Sequence, residues 1–164
     1  MAPINVGLIG YGFATKSFHL PFILPNPDLN VYAFLQRAAP PTEKDVKPGV
    51  HCTVDYPDAK HYRTADDFFA DPDIELVIVC TQHESHADLA ERSIKAGKHG
   101  IFTQFKRGGN IINVRGSVVV EKPFTITTAE ADHLLKLAEG SDKILTDFQS
   151  KNLPLPAITP SNVH

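Results

Sequence analysis

Ile4-Asn5-Val6-Gly7-Leu8-Ile9 runs straight into Gly10-Tyr11-Gly12-Phe13-Ala14-Thr15, an apolar run closed by a glycine-punctuated turn. A short continuous apolar run bounded by such a turn reads as a buried parallel strand. From Thr15, Lys16-Ser17-Phe18-His19 opens a helix, and Pro21, which lacks a backbone donor, kinks or ends it. A strand, two glycines and a helix start together leave unpaired amides pointing at a place where a diphosphate can approach the backbone closely. Gly10 makes the turn, Gly12 clears the space, and Phe13, Ala14 and Thr15 are expected with them among the cofactor-binding residues. Thr15 stands where Gly-x-Gly-x-x-Gly has its third glycine, so the fingerprint is incomplete, and an ordinary glycine turn is the competing reading.

Past the turn-like Pro25-Asn26-Pro27-Asp28, the β-prone Leu29 to Gln36 predicts a second strand. Residues 38–56, with Pro40, Pro41, Pro48 and Gly49, show neither period and read as a loop with room for one short helical turn. His61-Tyr62-Arg63 predicts a short strand. Thr64, with Asp67 three residues later, fits a helix start carrying Phe68 and Phe69, which Pro72-Asp73 breaks. Glu75 to Cys80 is the clearest buried strand. Ser85 reads as the next cap, before a helix with Ala87, Ala90 and Ile94 on one face and Gly97 at its C-terminal end. Val118-Val119-Val120 is a further strand; Thr127-Thr128-Ala129-Glu130 caps a helix whose Ala131, Leu134, Leu135 and Ala138 form an apolar stripe; Lys143 to Phe148 is the last strand. Strands alternating with helices predict right-handed βαβ units, hence an α/β fold with a doubly wound parallel sheet covered on both faces.

The chain has 164 residues, 42% of them hydrophobic and 21% charged, which suits one globular domain and leaves no room for two packed catalytic ones. Sixteen Lys and Arg against nineteen Asp and Glu give a net charge of -3, the wrong sign for nucleic acid or an anionic membrane. The apolar runs are far shorter than the roughly 20 residues that span a bilayer. The N-terminal Met-Ala-Pro-Ile-Asn is no secretory leader, so a cytoplasmic chain is expected. Cys52 and Cys80 make neither a disulfide framework nor a metal knuckle and are expected to be reduced.

Three further stretches carry candidate chemistry. An NAD site places an acid about 20 residues after the glycines to hold the ribose 2′-hydroxyl. Here the second strand ends in Gln36-Arg37, with no acid and a cation able to stack on adenine or pair with a phosphate, which favours NADP over NAD. A solvated loop arginine is the alternative. Thr81-Gln82-His83-Glu84-Ser85-His86 follows the strongest strand at its carboxyl end, where open α/β sheets bind ligands. His83 and His86 have the spacing of a metal pair but no evident third ligand, so no metal is expected. Finally, Glu121-Lys122-Pro123 follows the valine strand; a lysine there has the place to donate or orient a proton at a substrate carbon, with Pro123 fixing the local geometry. A surface ion pair in a turn is the alternative.

Together, Val6 to Gly12, Leu76 to Thr81 leading to His86-Ala87-Asp88-Leu89-Ala90, Ala96-Gly97-Lys98-His99 and Val119-Val120-Glu121-Lys122-Pro123-Phe124 resemble the N-terminal half of the Gfo/Idh/MocA oxidoreductases, over about positions 4 to 149. The resemblance implies a Rossmann domain at 1–149 that binds NAD(P), and a second α/β domain that supplies substrate contacts and oligomer interfaces. It implies that Lys122 is the catalytic lysine, flanked by Glu121 and Pro123 at the cofactor. The loop carrying Thr81, Gln82, His83 and His86 would border the nicotinamide ribose. The implied reaction is hydride transfer to or from a sugar, polyol or related carbonyl compound.

Two departures stand out. Relatives pass directly from Gly-Lys-His into the valine strand, whereas this chain inserts residues 100–117, GIFTQFKRGGNIINVRGS. After Gln149, where relatives continue with Asn-Arg-Arg and a second domain, this chain has an aperiodic tail, 150–164. Both stretches are compatible with translated introns: the insert is a whole number of codons, and Ser150-Lys151 can be written with a splice-donor sequence. The expectation is the nucleotide-binding half of an oxidoreductase whose second domain is missing. The alternative is a non-catalytic dinucleotide-binding fragment or regulator. A methyltransferase ranks last, since it wants acids before the glycines and at the end of the second strand.

Overall fold

The computed structural model describes residues 2–42, 44–98, 125 and 127–141, and the backbone of 117–121 and 144–148. Six strands, β1 (Ile4–Ile9), β2 (Leu29–Leu35), β3 (Lys60–Tyr62), β4 (Leu76–Val79), β5 (Ser117–Glu121) and β6 (Ile144–Phe148), form one sheet in the order β3-β2-β1-β4-β5-β6. Every neighbouring pair is parallel. The chain winds outward from β1 in one direction to β3, then returns to the other side of β1 with β4, so the strand order reverses between β1 and β4. This is the doubly wound Rossmann arrangement, and ligands bind such sheets in the crevice at the reversal, outside the carboxyl ends of the strands.

Both faces are buried, which is why the strands read as continuous apolar runs. On one face Ile9, Ala33, Leu35, Val77 and Val79 pack under α3 (Ala65–Ala70), α4 (His86–Lys95) and α5 (Thr128–Gly140), meeting Phe68, Leu89, Ile94 and Leu134. On the other, Val6, Leu8, Phe34, Leu76 and Ile78 meet Leu20 and Ile23 of α1 (Leu20–Ile23) and Cys52 of α2 (Cys52–Asp55). Gly7 faces the first cluster with no side chain because Phe68 fills the place: a Cβ there would lie 2.6 Å from its ring. Among the described residues no helix is long and apolar enough to cross a membrane.

Local chemistry accounts for most boundaries. Thr64 Oγ1 accepts the Asp67 N–H at the start of α3, and Thr127 and Glu130 form a complete capping box on α5. Gly97 follows α4 with φ +67°, the left-handed conformation that suits glycine. The expected helical turn in the 38–56 stretch is α2. Several expectations shift. Ser85 stands at the N-cap of α4 but makes no capping bond; its hydroxyl donates to Gln82 O and closes a 3-10 turn, His83–Ser85. Leu135 is 47% exposed, because α5 turns Leu134 and Ala138 inward and Leu135 lies round the helix from them. Ser117, counted at the end of the insert, opens β5 opposite Ile144; residues 100–116 and the tail lie outside the described residues. Pro21 does not end the helix where it stands. The preceding turn, Thr15–His19, is a π-helix that runs directly into α1, with Pro21 in the first turn of α1. The wider turn relieves the clash of the proline ring with the carbonyl behind it.

Away from the carboxyl edge, Asp71 gathers the start of β4, β2 and β3. Its carboxylate accepts Tyr62 Oη at 2.5 Å, Lys60 Nζ at 2.9 Å and the Asp73 N–H at 2.9 Å, with Tyr32 Oη at 3.3 Å. The buried Lys98 ammonium donates to the Asp71 carbonyl. Burial pushes the Asp71 carboxyl up, but the bonds from Tyr62, Lys60 and Asp73 outweigh it and hold the group at about 2. The native carboxylate therefore binds fewer protons than the unfolded one at acid pH, so its contribution is present above about pH 4 and is lost as pH falls toward 2. Asp71→Asn is expected to lower stability at pH 7 by about 2 kcal/mol. In urea titrations from pH 5 to pH 2 it should also flatten the acid loss; an unchanged pH slope would contradict the assignment.

Candidate functional site

The carboxyl ends of β1, β2 and β4 converge at Gly10. Its N–H donates to Leu35 O at 2.9 Å, at the end of β2, and its φ is +98°. A Cβ there would lie 2.7 Å from the Cys80 carbonyl, just past β4. Only glycine fits this turn on both counts. Thr15, fully buried, returns its hydroxyl to Gly10 O at 2.8 Å. The residue in the third-glycine position thus ties the helical segment to the turn and faces protein.

Gly12 differs. It is exposed, and a Cβ built on it meets no atom within 4 Å. No packing demand of the described residues requires a glycine there. Phe13 is 73% exposed, its ring edge-on to Phe18, and Ala14 is half-buried against the α1 side of the core. Between the glycines Tyr11 turns inward: it packs edge-on against Phe34 and Tyr56, and its hydroxyl donates to Asp55 at 2.6 Å. Burial and the Asp55 carboxylate push its ionisation well up, so it remains a donor. Asp55 also accepts the Gly49 N–H, while Lys16 Nζ reaches Gly49 O at 2.8 Å. Tyr11, not singled out in the sequence, is the bolt between the glycine turn and the β2–β3 connection.

At the end of β2, Gln36 occupies the place where an NAD site would carry its acid, and its amide is committed within the protein. Oε1 accepts the Cys52 N–H at 3.0 Å and Nε2 donates to Val50 O at 3.4 Å. Arg37 follows, exposed, and its carbonyl accepts Nε of Arg63 at 3.2 Å. Arg63 also escaped the sequence reading; the available signal was a cation directly after β3, as Arg37 closely follows β2.

At the end of β4, the Thr81 hydroxyl donates to Ser85 Oγ at 2.7 Å and the Thr81 carbonyl accepts His86 Nε2 at 2.9 Å. A carbonyl only accepts, so Nε2 of this buried His86 carries the proton. Gln82 and His83 are exposed, with His83 Nε2 3.2 Å from Glu84. His83 and His86 therefore face different partners. Glu121 ends β5, one step past the Val79–Val120 pair, which brings the end of this strand to the same edge of the sheet. Lys122 and Pro123 lie outside the described residues.

One group of potential metal ligands comes together among the described residues: His51, Cys52 and His61, with donor atoms within 4.8 Å of one another. Each imidazole is already used. His51 Nε2 donates to Ala38 O at 3.3 Å while its Nδ1 takes the Thr53 N–H, capping α2. His61 Nε2 donates to Gln36 O at 2.8 Å. Burial pushes the Cys52 thiol up to about 11. These bonds fasten the β2–β3 connection to the strand ends.

This geometry has counterparts among known proteins. A family model described as the Gfo/Idh/MocA oxidoreductase family, NAD-binding Rossmann fold, matches residues 4–103. The chain belongs to this family. Among relatives, the uncharacterised oxidoreductase YhhX of Escherichia coli K12 is 32% identical over 150 residues, 90% of this chain and 36% of YhhX. The scyllo-inositol 2-dehydrogenase (NADP(+)) IolW of Bacillus subtilis is 30% identical over 148 residues, 90% of this chain and 34% of IolW. A solved protein from Bacteroides fragilis superposes with a TM-score of 0.69 at 29% identity, covering 92% of this chain and 38% of that one. An oxidoreductase from Bacillus cereus does so at 0.68 and 25%, covering 89% and 35%. The chain thus spans about a third of the length of the Gfo/Idh/MocA proteins it matches.

The two glycines of this Gfo/Idh/MocA turn separate experimentally. Gly10→Ala is expected to cost about 2 kcal/mol or more in a thermal or urea melt, from the clash with Cys80 and the positive φ. Gly12→Ala should stay within about 0.5 kcal/mol of the parent. Equal losses would contradict the packing described.

Proposed function

We propose that this chain is the nucleotide-binding part, residues 1–149, of a cytoplasmic NADP(H)-dependent oxidoreductase that moves a hydride to or from a sugar, polyol or related carbonyl compound. The observation that carries the NADP preference is the end of β2. Gln36 offers no carboxylate for a ribose 2′-hydroxyl, and its amide is occupied by Cys52 and Val50, while Arg37 stands exposed beside it. A 2′-phosphate favours that cation, and no carboxylate opposes it. IolW, named for NADP(+), supports the same choice over NAD. Gly12, with open space where a Cβ would stand, fits close approach of a diphosphate to the backbone, and Phe13, Ala14 and Thr15 follow it. Thr81, Gln82, His83 and His86 line the neighbouring strand end, where His86 orients the Thr81 carbonyl.

When bound, the dinucleotide supplies the hydride chemistry. The chain's own residues bind and orient: Gly10 and Gly12 at the diphosphate, Arg37 at the adenosine ribose, and Glu121, Lys122 and Pro123 next to the reacting carbon, with Lys122 the proton donor. Substrate binding and oligomer contacts would fall to a second domain, as the family resemblance implies. The second reading is a non-catalytic dinucleotide-binding fragment or regulator.

Calorimetric titration of the full chain tests the binding claim. NADPH is expected to bind more tightly than NADH, and Arg37→Asp to weaken NADPH at least tenfold more than NADH, an estimate of about one charge-assisted bond. Equal losses would refute the NADP preference. Gly12→Val should weaken both dinucleotides without lowering the melting temperature. Sequencing the mature transcript across codons 95–125 and beyond codon 145 separates the two functions. Reads that omit codons 100–117 and continue past Gln149 support the two-domain enzyme. In that longer protein Lys122→Ala should abolish turnover while dinucleotide affinity stays within about twofold. Reads retaining both segments support the non-catalytic reading.

A further inference from the structure

Arg63 is joined to the adenosine end of the site by the sheet itself. Leu35 pairs with Tyr62 in the β2–β3 register, Gln36 N–H donates to Tyr62 O at 3.0 Å, and Arg63 Nε then reaches the Arg37 carbonyl at 3.2 Å. That bond uses one of five guanidinium donors and leaves the terminal nitrogens for another acceptor. Among the described residues none takes them. The nearest acids in sequence are engaged elsewhere: Asp66 with Arg92, and Asp67 with the Thr64 hydroxyl. Arg37 is likewise exposed with no carboxylate partner among the described residues. Two guanidinium-bearing residues thus stand at adjacent strand ends, linked by a side-chain bond to the backbone, and neither makes an ion pair among the described residues. Such a pair suits a dianion, because planar forks bind phosphate oxygens bidentately.

We infer that Arg63 is a second specificity-determining residue, which joins Arg37 in recognising a phosphate on the 2′ position of an adenosine ribose. The inference rests on the dinucleotide reading above and deepens it. Arg63 binds through its terminal nitrogens, while the Nε bond to the Arg37 carbonyl fixes the approach of the fork. A lysine cannot hold the carbonyl and a phosphate oxygen with the same planar geometry. Arg63 would therefore govern the choice between phosphorylated and unphosphorylated ribose and leave the rest of the dinucleotide untouched.

The test uses the full chain, with NADPH, NADH, 2′,5′-ADP and 5′-AMP as probes in calorimetry and thermal melts. The wild type should prefer NADPH to NADH and 2′,5′-ADP to 5′-AMP. Arg63→Gln should lower NADPH and 2′,5′-ADP affinity by about tenfold, as expected for one charged hydrogen bond, and leave NADH and 5′-AMP within about twofold. Arg63→Lys should recover part of the loss. A merely structural role would show as equal losses for all four probes with a lower melting temperature, and that result overturns the inference, as does unchanged 2′,5′-ADP affinity in Arg63→Gln. Failure of the wild type to bind either dinucleotide overturns the dinucleotide reading itself, and this inference with it. A wild-type preference for NADPH that survives Arg63→Gln overturns the role of Arg63 alone.

Discussion

Gly10 passes so close to the Cys80 carbonyl that no side chain can stand between β1 and β4, and the whole carboxyl edge of the sheet is set by that approach. The same residue holds the end of β2 through Leu35 O and the following helical segment through the Thr15 hydroxyl. Three strand ends and a helix start are therefore fixed by one backbone position. Because these bonds lie in or next to the core, the ligand edge inherits the rigidity of the sheet instead of depending on mobile loops. Tyr11 and Thr15, both buried, carry that rigidity outward on either side of Gly12.

The elements that were legible in the sequence are those whose cause is local or periodic. β1 and β4 are buried on both faces, so Val6 to Ile9 and Leu76 to Val79 show as unbroken apolar runs. The capping pairs Thr64–Asp67 and Thr127–Glu130 lie within one turn of their helices, and spacing alone exposes them. What escaped depends on partners distant in sequence or on small angular differences. The β2–β3 connection is ordered by Gln36 with Cys52, His51 with Ala38 and Tyr11 with Asp55, none of which has a period. Ser85 has the residue type of a cap, but its hydroxyl is drawn to Gln82 and Thr81. Leu135 has the residue type of the core, but helical rotation sets it beside the stripe and not within it.

The candidate site divides along the same line. Gly10 was legible as the turn and Gly12 as the space beside it, and the structure supplies the physical ground of each, a collision with Cys80 at one and open space at the other. Arg37 was legible as the residue after β2. That Gln36 is withdrawn from the site by bonds to Cys52 and Val50 in the β2–β3 connection, and that Arg63 is brought beside Arg37 by the parallel β2–β3 register, are long-range facts that no single stretch of sequence states.

The segment from Gly49 to Asp55 is laced to Tyr11, Lys16 and Gln36 by protein–protein bonds alone. Those bonds fix its place beside the glycine turn. A ligand that docks at this edge as proposed would need no closing step of that segment, and its observed association rate would rise in proportion to concentration instead of levelling off at a conformational limit. The discrimination proposed for the end of β2 would correspondingly be expressed in how long each ligand stays.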